Sequence, residues 1–80
     1  MRGGLRVLSG ADVADILIGF GFVVVAGSKH IKLRRTRANG NETLVVPNHS
    51  PIAKGTLRVI FSQASHYISE AELRPYFYND

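Results

Sequence analysis

The sequence predicts a small α+β domain in which one helix, three antiparallel strands and further helices follow one another. Apolar residues recur at helical spacing near both ends of the chain, whereas β-branched and alternating residues fill its middle. Asn39 and Gly40 form an Asn-Gly pair, a strong signal for a hairpin between the second and third strands. With 80 residues, we expect 1–80 to form one domain.

The first helix is predicted over residues 10–19. Ser9 and Asp12 have the spacing of a capping box, with Asp in place of the usual Glu, and an apolar stripe at helical spacing follows. Glycines come after the stripe and stop the helix. The β-branched run over 22–26 has the length and composition of a strand.

Two further strands are predicted over 29–36 and 42–46, with Pro47 ending the third strand. If Asn39 and Gly40 form a two-residue type I′ turn, the numbers of any two residues that face each other across the hairpin add up to about 79. In that register His30 faces His49.

A second helix is predicted over 54–65, from apolar residues at helical spacing. A short C-terminal helix should begin after Ser69, which forms a capping box with Glu72, and end at Pro75. Residues 76–80 are then a loosely held tail. Helices gathered on one face of a three-stranded antiparallel sheet leave the other face open.

The net charge of +4 is unevenly distributed. Five of the ten Lys and Arg residues fall within positions 29–37, and no acidic residue occurs between Asp15 and Glu42. Such a block attracts a polyanion such as nucleic acid, or an acidic protein. The alternative is a solvated basic hairpin with no binding role.

Composition excludes several kinds of site. The chain has no cysteine, which excludes a disulfide scaffold, a thiolate metal site and a cysteine nucleophile. Its six carboxylates are too scattered for a two-metal nuclease, and no phosphate-binding glycine motif is present, so we expect no cofactor and no metal. The longest apolar run, 20–26, is too short to span a membrane, and no signal peptide is recognisable. We expect a soluble, cytoplasmic protein.

The second predicted strand has a two-residue alternation. His30, Lys32 and Arg34 fall on one face, and Ile31 and Leu33 on the other. One face can therefore join a core while the other meets phosphate. On this pattern alone, a strand histidine is more often a plain surface residue than a catalytic one.

The order αβββα and several short motifs together resemble the HicA toxin family, over about residues 5–74. The motifs, in order, are Leu8-Ser9-Gly10, Gly21-Phe22, Gly27-Ser28-Lys29-His30, Val46-Pro47-Asn48-His49 and Lys54-Gly55-Thr56-Leu57. The resemblance implies a double-stranded-RNA-binding-domain-like fold and an mRNA interferase that cleaves transcripts without a metal. It also implies a HicB-type antitoxin that covers the active face, and it maps the family's catalytic histidine onto His30. Many members have His or a polar residue before that histidine, where this chain has Lys29.

This resemblance leads to expected roles for individual side chains. His30 is the base, because an imidazole exchanges protons near neutral pH. The phosphate is bound by the residues Ser28, Lys29, Lys32 and Arg34, and the cations stabilise charge in the transition state. His49 is a candidate second proton carrier if the predicted register holds; otherwise it belongs to a turn before the next helix.

Two rival functions fit the same residues. A non-catalytic RNA-binding module would use the basic face to bind RNA without cleaving it. A basic protein-interaction domain would bind an acidic partner and no nucleic acid. We expect the chain to be a monomer by itself, or part of a toxin-antitoxin hetero-oligomer.

Overall fold

A computed structural model describes residues 4–79, which form an antiparallel three-stranded sheet and three helices. The strands lie in the order β1-β2-β3, so β2 is central. This confirms the predicted α+β class and the αβββα order with a short C-terminal helix. The elements are α1 (Gly10–Gly19), β1 (Val23–Gly27), β2 (His30–Arg37), β3 (Gly40–Pro47), α2 (Lys54–Ala64) and α3 (Glu70–Phe77).

Helix α1 has the predicted bounds, and its capping box is formed. The Ser9 hydroxyl accepts a hydrogen bond from the Asp12 backbone N–H at 3.0 Å, and Asp12 Oδ2 accepts one from the Ser9 N–H at 2.9 Å. These two bonds satisfy donors that the first turn of a helix otherwise leaves unpaired. The helix therefore begins at a residue fixed by local chemistry.

The hydrophobic core lies on one face of the sheet, where all three helices contribute to it. Odd-numbered residues of β2 and even-numbered residues of β3 share this face, because the register pairs Leu33 with Leu44 and Ile31 with Val46. The largest fully buried side chains are Val13, Leu17, Phe22, Leu33, Val46, Leu57, Leu73 and Phe77. The opposite face of the sheet is open, as predicted, because its side chains Val23, Lys32 and Val45 are exposed.

The hairpin between β2 and β3 differs from the predicted one. Its turn consists of Ala38 and Asn39, and Arg37 pairs with Gly40. Neither turn residue has a positive φ, so the type I′ turn does not form; Gly40 instead takes a φ of +128° directly after the turn. The predicted register is therefore wrong by two residues, and His30 faces Pro47 rather than His49.

Side-chain pairing across the strands explains the observed register. It places Leu44 opposite Leu33 and Glu42 opposite Arg35 on the core side of the sheet. The predicted register would have placed Leu44 opposite Arg35. A slip of two residues keeps every side chain on its own face, so alternation could not distinguish the two registers.

Helix α3 continues past Pro75, where the sequence had predicted its end. Phe77 is fully buried and packs edge to face on Phe61, with ring centroids 5.3 Å apart. The backbone N–H of Tyr78 still donates to the Arg74 carbonyl at 2.9 Å. Burial of Phe77 thus holds the last turn together, and the predicted loose tail is wrong up to Asn79; Asp80 lies outside the described residues.

The two ends of the described chain lie side by side. Leu5 forms an antiparallel bridge with Tyr78, the Arg6 N–H donates to the Phe77 carbonyl and the Asn79 N–H donates to the Gly4 carbonyl, both at 2.8 Å. The N-terminal segment is consequently bound to the segment that follows α3.

Arg35 joins the sheet to the helices. Its Nε donates to Glu42 Oε1 at 2.7 Å, while its two terminal nitrogens donate to the carbonyls of Phe20, at 2.7 Å, and Tyr67, at 3.0 Å. The guanidinium also lies over the Phe22 ring, 4.8 Å from its centroid. Only 10% of the Arg35 side chain is exposed, so it acts as an internal connector.

We expect Arg35→Lys to lower the free energy of unfolding by about 2 kcal/mol. A lysine amine cannot reach Glu42 and both carbonyls together, nor stack flat on an aromatic ring. Urea unfolding would measure the change, with Arg37→Lys as the matched control, since Arg37 is exposed near the hairpin tip. Equal stability of the two variants would contradict the connecting role of Arg35.

Gly10 packs against the end of β3 so closely that no side chain fits. A Cβ built there overlaps the Pro47 carbonyl oxygen and lies 2.9 Å from the Asn48 Cα. We expect Gly10→Ala to reduce the free energy of unfolding by about 1–3 kcal/mol, because backbone rather than a flexible side chain has to move.

Gly19→Ala is the control for that substitution, because it lies in the same helix and its Cβ would have no atom within 4 Å. We expect it to leave stability unchanged or raise it by up to about 1 kcal/mol. Similar losses in the two variants, measured by urea unfolding, would show that close approach at Gly10 is not the cause.

Candidate functional site

Strand β2 presents His30, Lys32 and Arg34 on the open face of the sheet, as the alternation predicts. The intervening Ile31 and Leu33 are 8% and 0% exposed and belong to the core, whereas His30 and Lys32 are exposed. Side chains two residues apart on a strand are about 7 Å from one another. The histidine therefore begins a row of cations along the central strand.

Valines flank this basic row on both sides. Arg34 pairs with Val23 of β1, and Lys32 pairs with Val45 of β3. Directly paired residues share a face of an antiparallel sheet, and these valines are 59% and 46% exposed. We call the set His30, Lys32, Arg34, Val23 and Val45 the open face; it is both basic and apolar.

Arg34 is more buried than Lys32, although both side chains lie on the open face. It is half-buried, and its Nε atom is enclosed without a hydrogen-bond partner among the described residues. Its place between Val23 and Thr43 in the sheet accounts for this burial. A bound anion would therefore meet the terminal guanidinium nitrogens, while the rest of the side chain packs on the sheet.

The turn that leads into His30 is fastened to the segment after β3. The Asn48 backbone N–H donates to the Lys29 carbonyl, and Asn48 Nδ2 donates to the Ser28 carbonyl, both at 2.9 Å. Within the turn, the Ser28 N–H donates to the His30 carbonyl at 3.3 Å. Ser28 and Lys29 are exposed beside the histidine, so the structure brings these predicted phosphate ligands to the site.

His49 does not share a strand pair with His30. It lies two residues beyond the end of β3, in the loop before α2, and its side chain is exposed. Its carbonyl accepts a hydrogen bond from the Gly10 N–H at 2.8 Å, which anchors its backbone to the start of α1. The register from which its proton-carrier role was predicted is not formed.

The basic block over 29–37 divides in two. Arg35 points to the core side, where Glu42 and two carbonyls bind it, so it contributes no charge to the open face. Alternation already indicates this, because Arg35 continues the series that begins with Ile31 and Leu33. Asn48 gave a weaker signal, since an asparagine after a strand-ending proline predicts only a turn.

Within residues 4–79, the His, Asp and Glu side chains form no group of three or more that could hold a metal ion. None of the helices there has the length and apolar character needed to cross a membrane.

Comparison with known proteins gives one family. A family model described as HicA toxin of bacterial toxin-antitoxin matches residues 10–65, which includes the open face and the turn before it. No curated protein and no solved structure gives a significant match.

Proposed function

Because the chain belongs to the HicA toxin family, whose members are toxins of toxin-antitoxin systems, we propose that it is an endoribonuclease that cleaves mRNA through His30. The observation that carries the proposal is the exposed histidine at the start of the central strand, with Lys32 next to it on the same face. An imidazole beside cations is a suitable arrangement for cleaving a phosphodiester.

In the proposed reaction, RNA supplies its own nucleophile. His30 removes the proton from a 2′-hydroxyl, the 2′-oxygen bonds to the adjacent phosphorus, and the bond from phosphorus to the 5′-oxygen breaks. The departing 5′-oxygen takes a proton. The products are a 2′,3′-cyclic phosphate and a 5′-hydroxyl, and no metal takes part.

The cations and Ser28 have the supporting roles. Lys29 and Lys32 are exposed on either side of His30 along the chain and stabilise charge on the phosphorane, with Arg34 binding the next stretch of backbone. The Ser28 hydroxyl donates to a phosphate oxygen. These groups act by charge and hydrogen bonding, which do not depend on base identity.

His49 enters the proposal as a second histidine whose role is open to test. It lies in the loop after Pro47 and is exposed. The cleavage assay below therefore includes His49→Ala: a loss of turnover near that of His30→Ala would make His49 the proton donor to the 5′-oxygen. Full activity would leave that proton to water or to a lysine.

We further propose that a HicB-type antitoxin silences the enzyme by covering the open face. The exposed Val23 and Val45 beside the cations support this, because an apolar and basic surface suits an acidic protein with an apolar centre. The same face cannot bind RNA while it is covered. The toxin would act in the cytoplasm, where its mRNA substrate is found, alone or in a hetero-oligomer with the antitoxin.

We expect the purified protein to cleave a long mRNA in excess EDTA and His30→Ala to lose at least about 10²-fold in rate, the contribution of a well-placed acid or base. His66→Ala is the matched control, because His66 is also an exposed histidine but follows α2 and is not part of β2. Mapping of the product ends should find 2′,3′-cyclic phosphates and 5′-hydroxyls.

Other outcomes of that assay separate the rivals. Binding of RNA with no product from the wild type would indicate a non-catalytic RNA-binding module. Equal cleavage by wild type and His30→Ala would place the chemistry on another residue. A wild-type protein that neither binds nor cleaves RNA would favour the protein-interaction domain.

We expect Lys32→Gln to weaken RNA binding and to make the salt dependence less steep. Each phosphate contact to a single strand contributes about 0.7 to the slope of log K against log salt, so the slope should fall by about that amount. Arg58→Gln removes the same charge from an exposed position on helix α2 and should leave the slope unchanged. Both substitutions are made in the His30→Ala protein, so that the RNA is not cleaved, and each protein is titrated into a labelled RNA at several salt concentrations. A Lys32→Gln slope identical to the Arg58→Gln slope would show that Lys32 does not contact RNA.

A further inference from the structure

We infer that Asn48 is a positioning residue for His30: it fixes the turn that presents the imidazole to RNA. The inference rests on the proposed function for its catalytic part, whereas its structural part can be tested without any RNA.

Asn48 holds this turn through two donors that act on neighbouring residues. Its backbone N–H bonds the carbonyl of Lys29 and its side-chain amide bonds the carbonyl of Ser28, each at 2.9 Å. Both acceptors immediately precede His30. Two bonds from one residue fix both the position and the tilt of the turn, which one bond could not do.

His30 lies where the strand pairing ends. It is the first residue of β2 and faces Pro47 in a pair without mutual hydrogen bonds. The bond from the Asn48 N–H to the Lys29 carbonyl continues the β2–β3 ladder one residue beyond that pair, into the turn. The side-chain amide then adds a second bond that a regular strand pair would not contain.

Asn48 is itself held in place by helix α1. The Gly10 N–H donates to the carbonyl of His49 at 2.8 Å, and the Gly10 Cα lies against Pro47 and Asn48 without room for a Cβ. The residues on both sides of Asn48 are therefore fixed to the buried first residue of α1. A continuous series of backbone contacts thus runs from α1 through Asn48 to the turn at Ser28 and Lys29.

The experiment compares Asn48→Ala with Asn41→Ala in steady-state cleavage of a model RNA. Asn41 is a matched control because its side chain also makes one exposed hydrogen bond, with the Thr36 hydroxyl at 3.0 Å, on the same hairpin. It is six residues from Pro47 along β3, or about 20 Å. All rates are measured at a temperature well below the midpoint of thermal unfolding of each variant.

We expect Asn48→Ala to lower kcat by about 10- to 100-fold, the effect of misplacing a reacting group by around an ångström. KM should change less than about threefold, because the cations that bind RNA remain. Asn41→Ala should leave both constants unchanged. Asn48→Asp, which keeps the shape and loses the amide donor, should also lower kcat.

A second readout follows the site without activity. NMR should show the His30 ring resonances shifting or broadening, and faster hydrogen exchange at the Ser28 N–H, in Asn48→Ala but not in Asn41→Ala. An unchanged kcat in Asn48→Ala, or an equal fall in both variants, would overturn the inference. If the wild type cleaves no RNA, the proposed function fails, and unchanged His30 resonances in Asn48→Ala would then overturn the positioning role as well.

Discussion

The close approach of Gly10 to the backbone of Pro47 and Asn48 is the contact on which the site depends. It sets where α1 starts on the sheet, and the bond from the Gly10 N–H to the His49 carbonyl fixes the segment that leaves β3. That segment in turn bonds the turn before His30. The exposed histidine thus receives its position from backbone contacts that lead back to the buried Gly10, as precise placement of the proposed catalytic group requires.

The basic side chains at the two ends of the sheet have different roles. At the end near the hairpin, Arg35 ties β2 and β3 to the helix layer through Glu42 and the carbonyls that follow α1 and α2. At the other end, Lys32 and His30 are exposed, and neither side chain has such a partner among residues 4–79. Charges that look alike along the sequence therefore divide into structural and surface groups according to the face on which alternation places them.

Local signals in the sequence predicted the helices and strands well, whereas features that depend on non-local pairing were predicted wrongly or not at all. Ser9 and Asp12 located the start of α1 because a capping box involves only neighbours. Alternation gave the correct face for His30, but it is blind to a slip of two residues, so the hairpin register was wrong. Pro75 looked like a helix end because burial of Phe77, which overrides it, depends on packing against α2. Asn48 could not be found, since its partners are about 20 residues away along the chain.

The pairing of Leu5 with Tyr78 has a consequence for how the chain can be cut and joined. Both described ends leave the domain at one spot, where the Asn79 N–H meets the Gly4 carbonyl. A linker of a few residues could close the backbone into a ring, and the hairpin tip at Ala38 and Asn39 offers an exposed place to reopen it. Such a circular permutant would begin and end on strands β3 and β2, while the histidine kept its place at the start of the central strand.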